Sequence, residues 1–131
     1  MNSNSSIVLD SSAILAVIFG EPGSDKLPPE LLANSVVSTV NLAEVHSKLV
    51  AKGWNVDQAW EDCIGVVDEV SPFTAEQAKT AGALVLLTRS AGLSLGDRAC
   101  LALGLELKAP IYTADRAWKN LKLNLRINSI R

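Results

Sequence analysis

Short apolar runs alternate along the chain with longer segments in which apolar residues recur every three or four positions. This alternation predicts strands that are joined by helices. Strands are predicted at residues 6–10, 35–38, 69–71, 109–113 and 124–127. Helices are predicted at residues 12–19, 24–33, 41–52, 56–67, 75–91, 98–107 and 117–121. Because strands and helices alternate, we expect an α/β fold with a central, mainly parallel sheet covered on both faces.

The first apolar run, IVLDSSA at residues 7–13, ends in a carboxylate. Ligands of parallel sheets bind beyond the carboxyl ends of the strands, so Asp10 marks the edge at which chemistry is expected. Three further acids are predicted to reach this edge. Glu44 follows the second strand, Asp97 opens the helix that leads into the fourth strand, and Asp115 follows that strand. The sequence therefore predicts a cluster of four carboxylates.

A helix-capping role explains each acid taken singly. The segments NLAE at 41–44 and SLGD at 94–97 have the spacing of a capping box, in which the acid reaches back to the start of its own helix. Asp115 and Asp10 stand where N-caps are expected. The convergence of all four acids on one edge is what favours a functional site over four separate caps.

Four like charges in one cleft raise one another's pKa unless a cation compensates them. Carboxylate oxygens suit Mg²⁺ or Mn²⁺, which keep positions open for water and phosphate. The chain has one histidine, His46, and no cluster of His and Cys, which argues against zinc. His46 is two residues from Glu44 and therefore points from a different face of its helix, so we expect a surface residue.

Composition and length favour one globular domain over residues 1–131, with 48% hydrophobic and 20% charged residues. The longest uncharged apolar run, residues 11–20, is too short for a membrane span, and the N-terminal MNSNSS lacks the basic flank of a signal peptide. No membrane association is expected. Cys63 and Cys100 lie far apart and are interpreted as small buried residues. We therefore expect a cytoplasmic protein.

Charge is unevenly distributed along the chain. Residues 1–88 hold 4 Lys or Arg against 11 Asp or Glu, whereas residues 89–131 hold 8 against 3. Arg98 and Arg116 directly follow two of the acids, where a guanidinium can hold a phosphate. Lys119, Lys122 and Arg126 extend this basic region and suggest contacts with a nucleic acid backbone. Pairing of the arginines with acids, or a solvated charged face, is the alternative explanation.

Four segments of the chain resemble the PIN domain in order and spacing. They are IVLDSSAILAVIFGEPG, the glutamate of TVNLAEVHSKL, LSLGDRACLALGLELKAPIYTADRAW and the basic strand LNLRI. Within that group, the short chain with DSSA, SLGDRACLALG and TADRAW is similar to the VapC-type toxins of bacterial toxin–antitoxin pairs. The resemblance runs from about Ile7 to Ile127.

The resemblance implies a three-layer α/β/α fold and a metal-dependent ribonuclease. The family's acids carry over onto Asp10, Glu44, Asp97 and Asp115, and its hydroxyl before the last acid onto Thr113. Ser11 stands where the family usually has Thr or Ser. The VapC likeness further implies a homodimer, an RNA substrate and an antitoxin that covers the acidic cleft.

Phosphodiester hydrolysis assisted by Mg²⁺ or Mn²⁺ assigns provisional roles to these residues. Asp10 and Asp97 are expected to be principal ligands and Asp115 to complete the site, while Glu44 holds a ligand water or assists its deprotonation. Ser11, Thr113, Arg98 and Arg116 are expected to position the substrate. The expected products carry a 5′-phosphate and a 3′-hydroxyl.

Four other functions compete with a toxin. A haloacid-dehalogenase-type phosphatase needs a second acid two residues after Asp10, and the chain has Ser12 there. A response-regulator receiver needs an early pair of acids and a lysine at the end of a late strand. The chain has Thr113 and Asp115 at the place where that lysine is expected. A binding scaffold without catalysis, and an RNA-processing PIN nuclease that is not a toxin, are the remaining alternatives.

Overall fold

The computed structural model describes residues 6–131, which form a five-stranded sheet in the order β3-β2-β1-β4-β5. The strands are β1 (Ile7–Leu9), β2 (Ser35–Ser38), β3 (Glu69–Ser71), β4 (Ile111–Thr113) and β5 (Ile127–Ser129). All four neighbouring pairs are parallel. The predicted α/β class is confirmed. The strand order differs from the 2-1-3-4-5 order of receiver-type sheets, so the receiver alternative is wrong.

Helices cover both faces of this sheet. They are α1 (Ser11–Phe19), α2 (Pro29–Leu32), α3 (Thr39–Ala51), α4 (Val56–Ile64), α5 (Ala75–Ala83), α6 (Val85–Thr88) and α7 (Leu95–Leu107). Ile7 and Leu9 pack into an apolar cluster with residues of α1, α3 and α4. Val8 points to the opposite face and packs with residues of α7. The first strand is therefore apolar at every position because both of its faces are buried, which gives the three-layer α/β/α architecture.

The site lies where the direction of strand order reverses. From β1 the chain builds outwards through β2 to β3, and it then crosses to the other side of β1 to form β4 and β5. The carboxyl ends of β1 and β4 are neighbours, since Leu9 pairs with Tyr112 and the Asp10 N–H donates to the Tyr112 carbonyl. In open parallel sheets this reversal leaves a crevice for a ligand. Asp10 stands at its base.

The predicted helix over residues 24–33 is wrong. A short 3-10 turn at Ser24–Lys26 is followed by Pro28, which is the N-cap of the four-residue helix α2. Proline excludes the preceding residue from the helical region, and Leu27 accordingly has ψ 67°. The two consecutive prolines at 28 and 29 therefore divide this segment.

Several other element boundaries also differ from the prediction. The helix predicted at 75–91 is interrupted after Ala83 and continues as α6 and a 3-10 turn. The last strand begins at Ile127 rather than 124, because Leu123 and Leu125 pack against the core from an irregular segment. Helix α3 begins at Thr39 with Ser38 as its N-cap, so the capping box predicted for residues 41–44 is wrong.

Within residues 6–131, no helix has both the length and the apolar content needed to cross a bilayer. Residues 1–5, on which the absence of a signal peptide was argued, lie outside the described part of the chain. Cys63 and Cys100 are both buried and free, as predicted.

Candidate active site

Asp10 is a buried carboxylate held by hydroxyl donors from two elements. Its side chain is 3% exposed and accepts the N–H of Ala13 at 2.8 Å, which makes it the N-cap of α1. Ser12 Oγ lies 2.8 Å from both carboxylate oxygens, and Thr113 Oγ1 donates to Oδ2 at 2.6 Å. These two hydroxyls in turn accept the backbone N–H groups of Ala114 and Asp115. Asp10 therefore caps α1 and is also held in place by the Thr113 hydroxyl of β4.

Burial raises the pKa of Asp10 from 3.8 to about 6, although the hydrogen bonds from Thr113, Ala13 and Ser12 oppose the shift. The charge of Asp97 raises it further. The hydrogen bonds offset only part of the hydration free energy that the carboxylate loses on burial. A cation at this position would restore the charged form.

Glu44 is oriented by contacts with three other parts of the chain. Its Oε1 accepts Ser11 Oγ at 2.6 Å and Asn41 Nδ2 at 3.1 Å. Asn41 is buried and also donates to the Gly96 carbonyl at 3.0 Å, which ties α3 to the start of α7. The carboxylate lies so close to Gly96 that a Cβ there would come within 2.6 Å of Glu44 Cδ. Glycine at 96 is what lets α7 approach Glu44.

Asp97 forms the predicted capping box at the start of α7. The Asp97 N–H donates to Ser94 Oγ at 3.1 Å, and Asp97 Oδ2 accepts the Ser94 N–H at 2.9 Å. Partial burial raises the pKa of Asp97, the bonds with Ser94 oppose this, and the charges of Glu44 and Asp115 add to it. Asp97 thus both caps α7 and contributes its charge to the acidic cluster.

Asp115 is exposed and caps the 3-10 turn at Arg116–Asn120 by accepting the Ala117 N–H at 2.9 Å. Its own N–H donates to Thr113 Oγ1 at 3.0 Å. Thr113 therefore connects Asp115 to Asp10. Of the four capping explanations, those for Asp10, Asp97 and Asp115 are confirmed, and these three acids still face one another.

The four acids converge electrostatically, but their oxygens are occupied by local donors. Asp97 raises the pKa of Asp10, Glu44 and Asp115 raise that of Asp97, and Asp10, Asp97 and Glu44 all raise that of Cys100 after burial of its thiol. Nevertheless, no group of three His, Cys, Asp or Glu side chains within residues 6–131 is arranged to coordinate a metal ion in the present conformation. Asp97, which is half-buried, and Asp115, which is exposed, must each turn away from the helix or turn that they cap to do so. A set of carboxylates and hydroxyls fits a hard divalent cation.

The structure does not bring every predicted residue to the cluster. Arg98 extends towards α5, where Nη1 donates to the Ala81 carbonyl at 2.8 Å. Arg116 is exposed on the turn that Asp115 caps. Arg126 precedes β5 and its carbonyl accepts the Ile111 N–H, so it lies at the sheet edge opposite to the acids. The C-terminal basic residues therefore do not form one patch around the site.

Two functional residues were missed in the sequence. Ser12 and Asn41 orient Asp10 and Glu44 respectively. The sequence pattern explains Ser12 only as a helix-start residue beside Asp10 or as the position that a phosphatase would fill with an acid, and Asn41 only as a helix cap. The signal for Asn41 was its spacing of three residues from Glu44, which places both side chains on one face of α3. His46 contacts the Val56 carbonyl and the Trp60 ring and is no part of the cluster.

Comparisons with known proteins agree with this fold. The model of the PIN domain family matches residues 7–123. VapBC2 from Rickettsia felis, solved with a DNA fragment from its promoter, is similar over 94% of this chain and 97% of that chain, with 20% identity and a TM-score of 0.73. DNA-bound VapBC from Salmonella typhimurium is similar over 96% and 98%, with 14% identity and a TM-score of 0.75.

A third solved structure is VapC20 from Mycobacterium tuberculosis, which is described as a toxin that cleaves the sarcin-ricin loop. It covers 92% of this chain and 99% of its own, with 19% identity and a TM-score of 0.69. No curated protein matches the chain significantly. The family match spans nearly the whole chain and includes all four acids. The chain belongs to the PIN domain family.

Proposed function

We propose that this protein is a Mg²⁺- or Mn²⁺-dependent ribonuclease of the cytoplasm and the toxin of a toxin–antitoxin pair. One observation carries the proposal: a carboxylate buried to 3% exposure lies in the crevice of a parallel sheet, beside acids whose charges raise one another's pKa. A protein gains no stability from such an arrangement, which is typical of a site that binds a cation.

Asp10, Asp97 and Asp115 would hold the cation, and Glu44 would hold the attacking water or accept its proton. When bound, the cation would supply positive charge to the phosphate oxygens and acidify the attacking water. The water oxygen bonds to phosphorus, its proton passes to Glu44, and the bond from phosphorus to the 3′-oxygen breaks. The 3′-oxygen takes a proton from solvent, which leaves a 3′-hydroxyl and a 5′-phosphate.

Substrate positioning is assigned to side chains around these acids. Ser11 and Thr113 fix Glu44 and Asp10 respectively, so their effect on the substrate acts through the carboxylates. Arg116 is exposed beside Asp115 and is free to reach a phosphate oxygen. Arg98 reaches the substrate only if it leaves the Ala81 carbonyl.

The proposed protein partners are an antitoxin and a second copy of this chain. The antitoxin proposal is supported by the neighbours that were solved as VapBC or toxin–antitoxin complexes. In this proposal a segment of the antitoxin covers the acidic cleft. The homodimer is supported by exposed apolar side chains on α6 and at the first residue of α7, namely Val85, Leu86, Leu87 and Leu95.

The test is incubation of the purified protein with total cellular RNA in Mg²⁺ or Mn²⁺, followed by mapping of the new ends. Cuts that carry 5′-phosphates, that vanish with chelator and that vanish in Asp10→Asn support the proposal. Asp25→Asn, which changes an exposed acid outside the cluster, is the matched control and must retain the cuts. Cuts that persist with chelator or in Asp10→Asn would contradict it.

A further inference from the structure

A groove leaves the candidate active site between two helices that run away from it in the same direction. Helix α1 starts at Asp10 and α3 carries Glu44, so each has an acid of the cluster near its N-terminal end. The groove has a volume of about 340 Å³. It is lined by Ser12, Leu15, Phe19, Glu21, Lys48, Lys52 and Arg131. Because Ser12 donates to Asp10, the groove is continuous with the site.

One wall of the groove is a cationic stripe that begins at the site. Glu44 and Lys48 lie on one face of α3 about 6 Å apart along its axis, and Lys52, the C-cap of α3, follows four residues later. The one acid in the lining, Glu21, is paired with Arg131 at 2.7 Å. Neither Lys48 nor Lys52 forms an ion pair with any residue from 6 to 131. Each ammonium group can therefore contact an anion in the groove without first breaking an ion pair.

The two groove lysines belong to a part of the chain that is otherwise mainly acidic. Residues 1–88 contain 4 basic and 11 acidic residues, and two of the four basic residues line this groove. The opposite wall is apolar, since Leu15 and Phe19 are spaced along α1 at helical intervals. Phe19 is 39% exposed, its ring is nearly perpendicular to that of Trp54, and Lys52 Nζ lies 5.8 Å from the Phe19 ring centroid. A charged wall that faces an apolar wall suits a chain of phosphates and bases.

We propose that this groove binds the single-stranded segment of RNA next to the cleaved bond, with backbone phosphates on Lys48 and Lys52 and a base against Phe19. The inference rests on the proposed ribonuclease function and adds the path of the substrate. A single strand fits because only unstacked bases can lie on an aromatic side chain, whereas the bases of a duplex are stacked on one another.

The test measures binding of a fluorescent single-stranded RNA of about twelve nucleotides, within the range of single-strand site sizes, to full-length Asp10→Asn, in which the RNA stays intact. In that background Lys48→Gln with Lys52→Gln is compared with the control pair Lys79→Gln and Lys108→Gln, which lies outside the groove. Each lost phosphate contact lowers the slope of log K against log salt by about 0.7 for single strands. The groove pair is expected to lower the slope by about 1.4 and the control pair to leave it unchanged.

Phe19→Leu separates stacking from charge. It is expected to weaken binding about fivefold while leaving the salt slope unchanged, because it removes an aromatic face and no charge. Equal slopes for the groove and control pairs would overturn the inference, and if wild type still cut RNA the proposed function would stand. Loss of self-association in the groove pair with unchanged RNA binding would assign the groove to a protein contact instead. Absence of both RNA cleavage and RNA binding would refute both proposals.

Discussion

The four acids form two pairs that are held in different ways. The inner pair, Asp10 and Glu44, is bonded by side chains from other elements: Thr113 lies 103 residues from Asp10, and Ser11 lies 33 residues from Glu44. The outer pair, Asp97 and Asp115, is bonded to the start of its own helix or turn. The inner pair is therefore fixed by the tertiary fold, and the outer pair by local sequence.

This difference suggests how the site can be both ordered and able to bind. The inner carboxylates are fixed before any cation arrives, so their orientation costs little entropy on binding. The outer carboxylates each hold one or two exchangeable cap bonds, which they can give up for an ion at a cost of about 1 kcal/mol each. Three substitutions and one pH dependence test this contrast, from the largest expected effect to the smallest.

Asp10→Asn is expected to have the largest effect on activity. The substitution keeps the shape of the side chain and removes the buried charge that attracts the cation. Cleavage should fall by more than roughly 100-fold, the upper end of what loss of an outer partner of a metal ligand costs. Single-turnover rates in saturating Mn²⁺ measure this. An active Asp10→Asn enzyme would mean that the inner pair does not bind the ion.

The same carboxylate makes stability depend on pH in the absence of metal. Its pKa is about 6 in the folded protein against a usual 3.8, so between these pH values the folded state holds a proton that the unfolded state has lost. The free energy of unfolding should therefore fall as pH rises through this window, by roughly 3 kcal/mol in total. Urea unfolding in chelator measures the fall when it is done at about pH 4, near the lower end of this pH range, and at about pH 7.5, above its upper end.

Asp10→Asn is the control for this dependence and should lack that fall. The variant should be more stable than wild type at the higher pH, because it buries no charge. Parallel curves for the two proteins would show that Asp10 is not the group that titrates.

Gly96→Ala tests the position of Glu44. The new Cβ would clash with the Glu44 carboxylate, which Ser11 and Asn41 hold in place. Cleavage should fall about tenfold from displacement of this group, while stability changes little because alanine favours the helix. Gly82→Ala in α5 is the control, since its Cβ would meet nothing within 4 Å. It should stabilise the protein and leave the rate unchanged.

Ser94→Ala should have the smallest effect on activity. It removes the hydroxyl that accepts the Asp97 N–H and should cost about 1 kcal/mol of stability. The rate should stay within about threefold of wild type, since Asp97 must leave its cap in any case. Thr74→Ala removes the equivalent cap of α5 and should cost the same stability. A much lower rate for Ser94→Ala alone would show that the cap holds Asp97 in its working orientation.

The sequence predicted what depends on local pattern and missed what depends on packing. Strands β1, β2 and β4 could be predicted because buried parallel strands are apolar, and the four acids could be located because they follow a strand or open a helix. The double proline at 28 and 29 was overlooked as a helix break. The roles of Asn41 and Ser12 were not visible, because a polar side chain near a helix start has the same pattern whether it caps or orients a carboxylate across the fold.

The central place of β1 has a consequence for synthesis of the chain. The ribosome makes β1 first and its second neighbour, β4, about 100 residues later. Until then one edge of an apolar strand has no partner, a state that favours aggregation and attack by proteases. The Thr113 hydroxyl that holds Asp10 is missing for the same period. A chain that ends before β4 is thus fragile, and it lacks both the Thr113 hydroxyl and Asp115, so the proposed site can form only after residue 115 has been made.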